Sequence, residues 1–260
     1  MHFSDLSDVA IILACCASLG AGTIDSIVGG GGLILVPALF SLFPNASPAI
    51  LFGTNKIAAL SGTGIATAQY VRHVRVNWKV VVPAAIVAWG GSSLGAWAVA
   101  HVNGDDFRKA LPFVLIAVFI YTLTQKQFGL AKGQAVPDST ARIIACFIAL
   151  FVGFYDGFFG PGTGSFFVFL IVRFLAYDFL QATATAKILN TTSNLSAVFL
   201  FAFNQEICWE LGLLMAVANV SGSLIGTRLA VRHGAAFVRK FFILIVGALI
   251  ISSLYKAFFR

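Results

Sequence analysis

Two aspartates and two lysines stand where an apolar chain has least use for charge. Asp25, Lys56, Asp156 and Lys187 interrupt stretches otherwise made of aliphatic, aromatic and small residues. A charge held at the centre of a membrane helix costs about 2.5–3.5 kcal/mol on insertion scales, so groups retained there are paired, functional or both. Two acids and two bases can cancel as buried ion pairs, one Asp–Lys pair in each half of the chain. The same groups can attract an anion through the lysines or carry a proton through the aspartates.

Their neighbours favour the anion. Asp25 is followed by Gly29, Gly30, Gly31 and Gly32, and Asp156 by Gly160-Pro161-Gly162-Thr163-Gly164. Successive glycines let backbone N–H groups converge into an anion-binding nest. A short apolar stretch begins after each run, and a helix N-terminus there would aim unpaired N–H groups and its positive dipole end at the same point. Single glycines such as Gly90, Gly91 and Gly95 fit close helix packing instead. Thr54 and Asn55 precede Lys56, while Asn190 and Asn194 follow Lys187 at i+3 and i+7, on one helix face. The candidate substrate-binding set is therefore Lys56, Lys187, Thr54, Asn55, Asn190, Asn194, Gly29, Gly30, Gly31, Gly32, Gly162, Thr163 and Gly164. Asp25 and Asp156 are the candidate counter-ions or proton carriers. The competing role for the asparagines is interhelical hydrogen bonding, worth about 0.6–2 kcal/mol each.

The elements that must position these residues are membrane helices. Of 260 residues, 59% are hydrophobic and 10% charged, against roughly 45–50% and 25% in soluble domains. With a mean hydropathy of +0.93, lipid is the solvent this composition suits. Apolar segments fall at 9–22, 33–43, 49–71, 80–100 and 111–124, then at 143–155, 165–172, 181–203, 211–230 and 237–259. The hydrophilic stretch 125–141 is a linker between a first membrane repeat, 1–124, and a second, 142–260. Segments 33–43 and 165–172 fall short of the roughly 20 residues a spanning helix needs. They are expected as broken or re-entrant half-helices, tolerated at membrane depth where protein or a wet cavity covers them.

The halves repeat. A shift of 131 positions carries Asp25 to Asp156, Lys56 to Lys187, Trp78 to Trp209 and Arg108-Lys109 to Arg239-Lys240. Loop charges reverse between the halves. Arg72, Arg75 and Lys79 correspond to Phe203, Glu206 and Glu210, whereas the balanced group from His101 to Lys109 corresponds to the basic Arg228, Arg232, Arg239 and Lys240. Cytoplasmic loops gather Lys and Arg, so equivalent loops face opposite sides. The expected fold is all-α and integral to the membrane, with two inverted repeats of about five hydrophobic segments each. Both termini lie outside and the linker inside. Trp78 and Trp209, at segment ends, read as interface anchors.

Other classes find little support. The net charge of +7 is spread between apolar segments and accompanies no nucleic-acid motif. Cys15, Cys16, Cys146 and Cys208 lack metal spacing. There is no HExxH pair and no GxSxG elbow, and His2, His73, His101 and His233 lie at segment ends. No enzyme, cofactor or metal is expected. The acidic start MHFSDLSD does not look like a cleavable signal peptide. The expected partners are a small anion, the bilayer and a second copy of the chain as a homodimer.

These residues carry a resemblance. Ile24-Asp25-Ser26 with Gly29 to Gly32, the triplet Thr54-Asn55-Lys56, the run from Gly153 to Gly164, and Lys187 with Asn190, Ser193 and Asn194 resemble the TauE/SafE family, also called toluene sulfonate uptake permeases. The likeness is closest to its YfcA-like branch. It implies transport of sulfite or small organosulfonates such as sulfoacetate, mostly export, across a prokaryotic inner membrane. Alternating access about a midplane site is the expected mechanism. An anion channel using the same residues and a membrane sensor without transport are the alternatives.

Overall fold

A computed structural model describes residues 3–102, 113, 117 and 136–229. Segment 237–259, most of segment 111–124, most of the linker and the loop charges at 105–109 and 232–240 lie outside the described residues. After a 3-10 turn at Phe3–Asp5, the helices are α1 (Asp8–Val28), α2 (Gly32–Leu42), α3 (Pro48–His73), α4 (Trp78–Ala100), α5 (Asp138–Phe158), α6 (Thr163–Leu175), α7 (Phe179–Phe203) and α8 (Trp209–Leu229). All regular structure among the described residues is helical.

Side-chain caps start several of them. The Ser7 and Ser47 hydroxyls accept from Ala10 N and Ile50 N, and Asp178 Oδ1 accepts from Leu180 N and Gln181 N. Each replaces a partner that a helix N-terminus lacks. Four helices, α1, α4, α5 and α8, are long and apolar enough to cross a membrane. α3 and α7, with 26 and 25 residues, have the length too. They are more polar because they are interior: Thr54, Asn55, Lys56, Thr185, Lys187, Asn190 and Asn194 are all buried. α2 and α6 have 11 and 13 residues, about 16–20 Å of helix, too short to cross.

The helices run further than hydrophobicity alone suggests. Segments 9–22 and 143–155 extend to Val28 and Phe158, so Asp25 and Asp156 lie inside the last turns of α1 and α5. A helix satisfies its own backbone, and no break is required until the chain reaches Gly29 and Phe159. α4 shows the inside-out arrangement suited to lipid: Val82, Ile86 and Trp97 are exposed, whereas Ala84, Ala88 and Ser92 are buried.

Packing follows the repeat reciprocally. A Cβ on Gly91 would come within 2.5 Å of Leu150 O, and one on Gly222 within 2.0 Å of Leu19 O. Gly95 and Gly226 likewise press on Phe154 O and Thr23 O, each at 2.1 Å. Each half thus packs its fourth helix against the first helix of the other, through glycines that let backbones approach closely. Gly90, grouped above with these packing glycines, has nothing within 4 Å of a built Cβ, so it belongs to the open face of α4.

The ends of the bundle differ in charge. One end holds the start of α1, the α2–α3 turn, the end of α4 and the α7–α8 loop. There Pro44 to Ala49, Val99, Ala100, Val102 and Glu206 line a cavity of about 490 Å³, with Leu6 lining a second beside it. Its charged residues include Asp8, Glu206 and Glu210. At the opposite end Asn77 Nδ2 donates to Asp138 Oδ1 at 2.8 Å, joining the start of α4 to the start of α5. Arg72, Arg75, Lys79, Arg142 and Arg173 gather there with Asp138 and Asp178. Trp78 and Trp209, at the starts of α4 and α8, are both about half exposed, as interface anchors require.

Candidate functional site

Two broken hairpins, α1–α2 and α5–α6, meet at their breaks. Gly29 has φ 81°, and Gly160 and Gly162 have φ 84° and 79°, a region open to glycine at little cost. Ser165 N donates to Gly29 O at 3.2 Å. A Cβ on Gly29 would lie 2.5 Å from Gly164 Cα, and one on Gly32 would lie 3.0 Å from Pro161 Cα. The N-termini of both half-helices therefore arrive at one place. The backbone N–H groups of Gly30, Gly31, Gly32, Gly162 and Gly164 have no hydrogen-bond partner among the described residues. Two positive helix-dipole ends therefore lie at this junction, beside five N–H groups free to donate.

The four charges assemble around it, paired across the halves. Lys56 Nζ lies 2.8 Å from Asp156 Oδ1, with both side chains 2% exposed. Lys187 Nζ lies 2.8 Å from Asp25 Oδ2, with the lysine 2% and the aspartate 17% exposed. The reading that would place one Asp–Lys pair within each half is thus corrected: the pairs form across the halves. The physical reason is the packing of α3 on α7: each lysine lies at the seam between halves, where the opposite carboxylate neutralises it.

The surrounding polar groups are less symmetric. Asn194 Oδ1 accepts from Lys56 Nζ at 2.9 Å, and Asn194 Nδ2 donates to Asn190 Oδ1 at 3.3 Å. Ser193 Oγ donates to Asp156 Oδ2 at 2.6 Å. Around the other pair, Thr63 Oγ1 donates to Asp25 Oδ2 at 3.2 Å, and Lys187 Nζ also donates to the Asp25 carbonyl. Tyr70 and Tyr155 brace the breaks, their hydroxyls donating to Ser26 O and Pro161 O.

Not every candidate points at the junction. Thr54 Oγ1 accepts from Cys208 N at 3.0 Å, which ties α3 to the α7–α8 loop. Thr163 Oγ1 donates to Gly160 O at 2.8 Å and holds the turn before α6. Asn55 is 4% exposed and its Oδ1 has no partner among the described residues. Sequence reasoning missed Thr63, although the shift of 131 carries it to Asn194. It also left Ser193, quoted only in the resemblance, out of the site.

Outside the helices, burial pushes the Glu206 carboxyl above its ordinary value, opposed by a hydrogen bond from Asn204 and by nearby His101. Its Oε2 has no partner among the described residues. Among the described residues no cluster of His, Cys, Asp or Glu could hold a metal ion.

Charge-neutral pairs around converging half-helix termini, inside helices that turn apolar faces outward, are the interior of a membrane transporter. Known proteins agree. The chain is 38% identical over 95% of its length to a probable membrane transporter protein, ORF9, of Sinorhizobium, covering 93% of that relative. It is 34% identical to the probable membrane transporter protein YfcA of Escherichia coli (91% of this chain, 87% of the relative). A probable membrane transporter protein of Haemophilus influenzae is 33% identical (90% and 91%). The family described as sulfite exporter TauE/SafE matches residues 14–253, and the chain belongs to that family. No solved structure matches it.

Proposed function

We propose that the protein exports sulfite or a small organosulfonate across the inner membrane by alternating access, with the anion bound at the junction of the two half-helices. The observation that carries this reading is the convergence of Lys56 and Lys187, each held by a carboxylate of the other half, on a junction with unpartnered backbone N–H groups. Sulfite and sulfonates present three acceptor oxygens, and charge-assisted hydrogen bonds to such oxygens are about twice as strong as neutral ones. Lys56, Lys187, Asn55, Asn190 and Asn194 would supply side-chain contacts, and the glycines backbone donors. The family's description as sulfite exporters supports both substrate class and direction.

The two halves act as inverted repeats that rock about the shared junction. Reciprocal glycine packing between first and fourth helices supports this. So does the position of the α1 start at the opposite end of the bundle from the α5 start. The end rich in arginine faces the cytoplasm and the acidic end faces outward, which puts the N-terminus outside and the linker inside.

Counterflow in proteoliposomes tests the reading. Vesicles loaded with unlabelled sulfite or sulfoacetate take up the labelled anion, saturably and faster with more trapped substrate. Lys187→Ala abolishes this. Flux that never saturates and shows no counterflow would make the protein a channel, and normal counterflow by Lys187→Ala would remove the site.

A further inference from the structure

The two ion pairs occupy equivalent places in the repeat but differ in whether a proton can reach them. Asp156 is 2% exposed and both its oxygens are engaged, Oδ1 by Lys56 and Oδ2 by Ser193. Asp25 is 17% exposed. Its Oδ2 takes both Lys187 and Thr63, while its Oδ1 has no hydrogen-bond partner among the described residues and is not buried. A carboxylate with one saturated oxygen and one open oxygen can accept a proton without first breaking a bond. Asp156 would have to give up a lysine or a serine.

We propose that Asp25 is the proton-coupling residue of this carrier and that Asp156 is a fixed counter-ion. The proposal rests on the anion site described above. A proton adds to Asp25 Oδ1, the carboxylate becomes a neutral acid, and its attraction for Lys187 lapses. The Lys187 ammonium then takes the substrate in place of the carboxylate; a monoanion leaves the site neutral, and a dianion such as sulfoacetate leaves it with one net negative charge. No covalent bond forms or breaks except the O–H bond on Asp25. A dianion leaving with one proton moves one net negative charge outward, the direction an inside-negative potential favours, by about 2.3 kcal/mol per 100 mV.

The charged and titratable groups around Asp25 are few. α7 brings Lys187, and α3 brings Lys56 and Tyr70. α2 has none, α6 carries only Arg173 in its last turn, and α8 carries Glu210 and Arg228 at its two ends. Within α1, Asp8 lies at the far end and Cys15 and Cys16 lie between. Lys187 keeps its bond to the Asp25 carbonyl when the carboxyl is protonated, so it remains in place to receive the anion.

The test is sulfoacetate binding to the purified protein at several values between about pH 6 and 8, where the charge of this probe is constant because carboxyl groups titrate near pH 4. Wild-type affinity falls as pH rises, by up to about tenfold per pH unit, the limit that uptake of one proton per bound anion sets. Asp25→Asn binds tightly with no pH dependence, and Asp25→Glu restores the slope. Unbuffered wild type takes up about one proton per sulfoacetate bound, a measurement that needs no variant to fold. Binding without proton uptake, or an Asp25→Asn protein that keeps the wild-type slope, overturns the proposal and leaves the anion site standing. Absence of sulfoacetate binding at any pH removes the site and the proposal together.

Discussion

Lys56–Asp156 and Lys187–Asp25 are related by one shift of 131 positions, have the same 2.8 Å contact and join the same two halves, yet one is closed and the other ajar. Asn194 and Ser193 complete the first pair. In the second, Thr63 stands where the repeat puts Asn194, and Gly62 stands where it puts Ser193. With Gly62 there is no hydroxyl for Asp25 Oδ1, and Asn219 Oδ1 fills the space where its side chain would be. A duplicated scaffold has thus kept the charges in both copies and let the polar shells diverge. On the proposal above, that divergence would let one pair hold the halves together while the other responds to ligand and proton.

The largest test of this difference is stability. Asp156→Ala strands the buried Lys56, and removing one partner of a buried pair costs about 3–5 kcal/mol. Asp25→Ala costs less than about 2 kcal/mol, because the site is more open and Lys187 retains the Asp25 carbonyl. Thermal unfolding in detergent measures both, and equal losses would erase the distinction. Next in size is coupling. Adding Lys56→Ala to Asp156→Ala should recover about 1–3 kcal/mol, the range for groups in direct contact; simple additivity would mean the pair does not hold the halves.

Smaller effects sharpen the comparison. Ser193→Ala removes a hydrogen bond to a buried carboxylate and lowers stability by about 1.5–3 kcal/mol. Thr63→Val, at a longer 3.2 Å contact to the more open carboxylate, costs under about 1 kcal/mol. The smallest effect lies away from the junction. Burial raises the Glu206 pKa, so the folded state disfavours the ionised form. The destabilisation is absent below the unfolded pKa and grows as pH rises toward the folded one. Glu206→Gln should therefore raise the melting temperature slightly at neutral pH, with the advantage vanishing near about pH 4. An advantage that grew in acid would contradict this assignment.

The repeat, the four charges and the glycine breaks were legible in the sequence because each is a residue type that lipid makes costly or a backbone that only glycine makes easily. The pairing across halves was not. Spacing along the chain records that Asp25 precedes Lys56, but says nothing of which helix α3 will meet, and that is settled by packing between α3 and α7. The extension of α1 past Gly22 was hidden for a related reason: that glycine serves a contact with Asn219 rather than a break. Thr54 looked like a ligand beside Lys56, yet its hydroxyl serves the Cys208 backbone, a partner 154 positions away.

The most direct test of the account is an experimental structure with sulfoacetate bound. The account predicts the sulfonate at the junction of α2 and α6, within hydrogen-bond distance of Lys187 Nζ and of backbone N–H groups among Gly30, Gly31, Gly32, Gly162 and Gly164, with the Asp25 carboxyl released from Lys187 and Asp156 still on Lys56. A sulfonate bound elsewhere, with both ion pairs intact and the glycine N–H groups uncontacted, would contradict it.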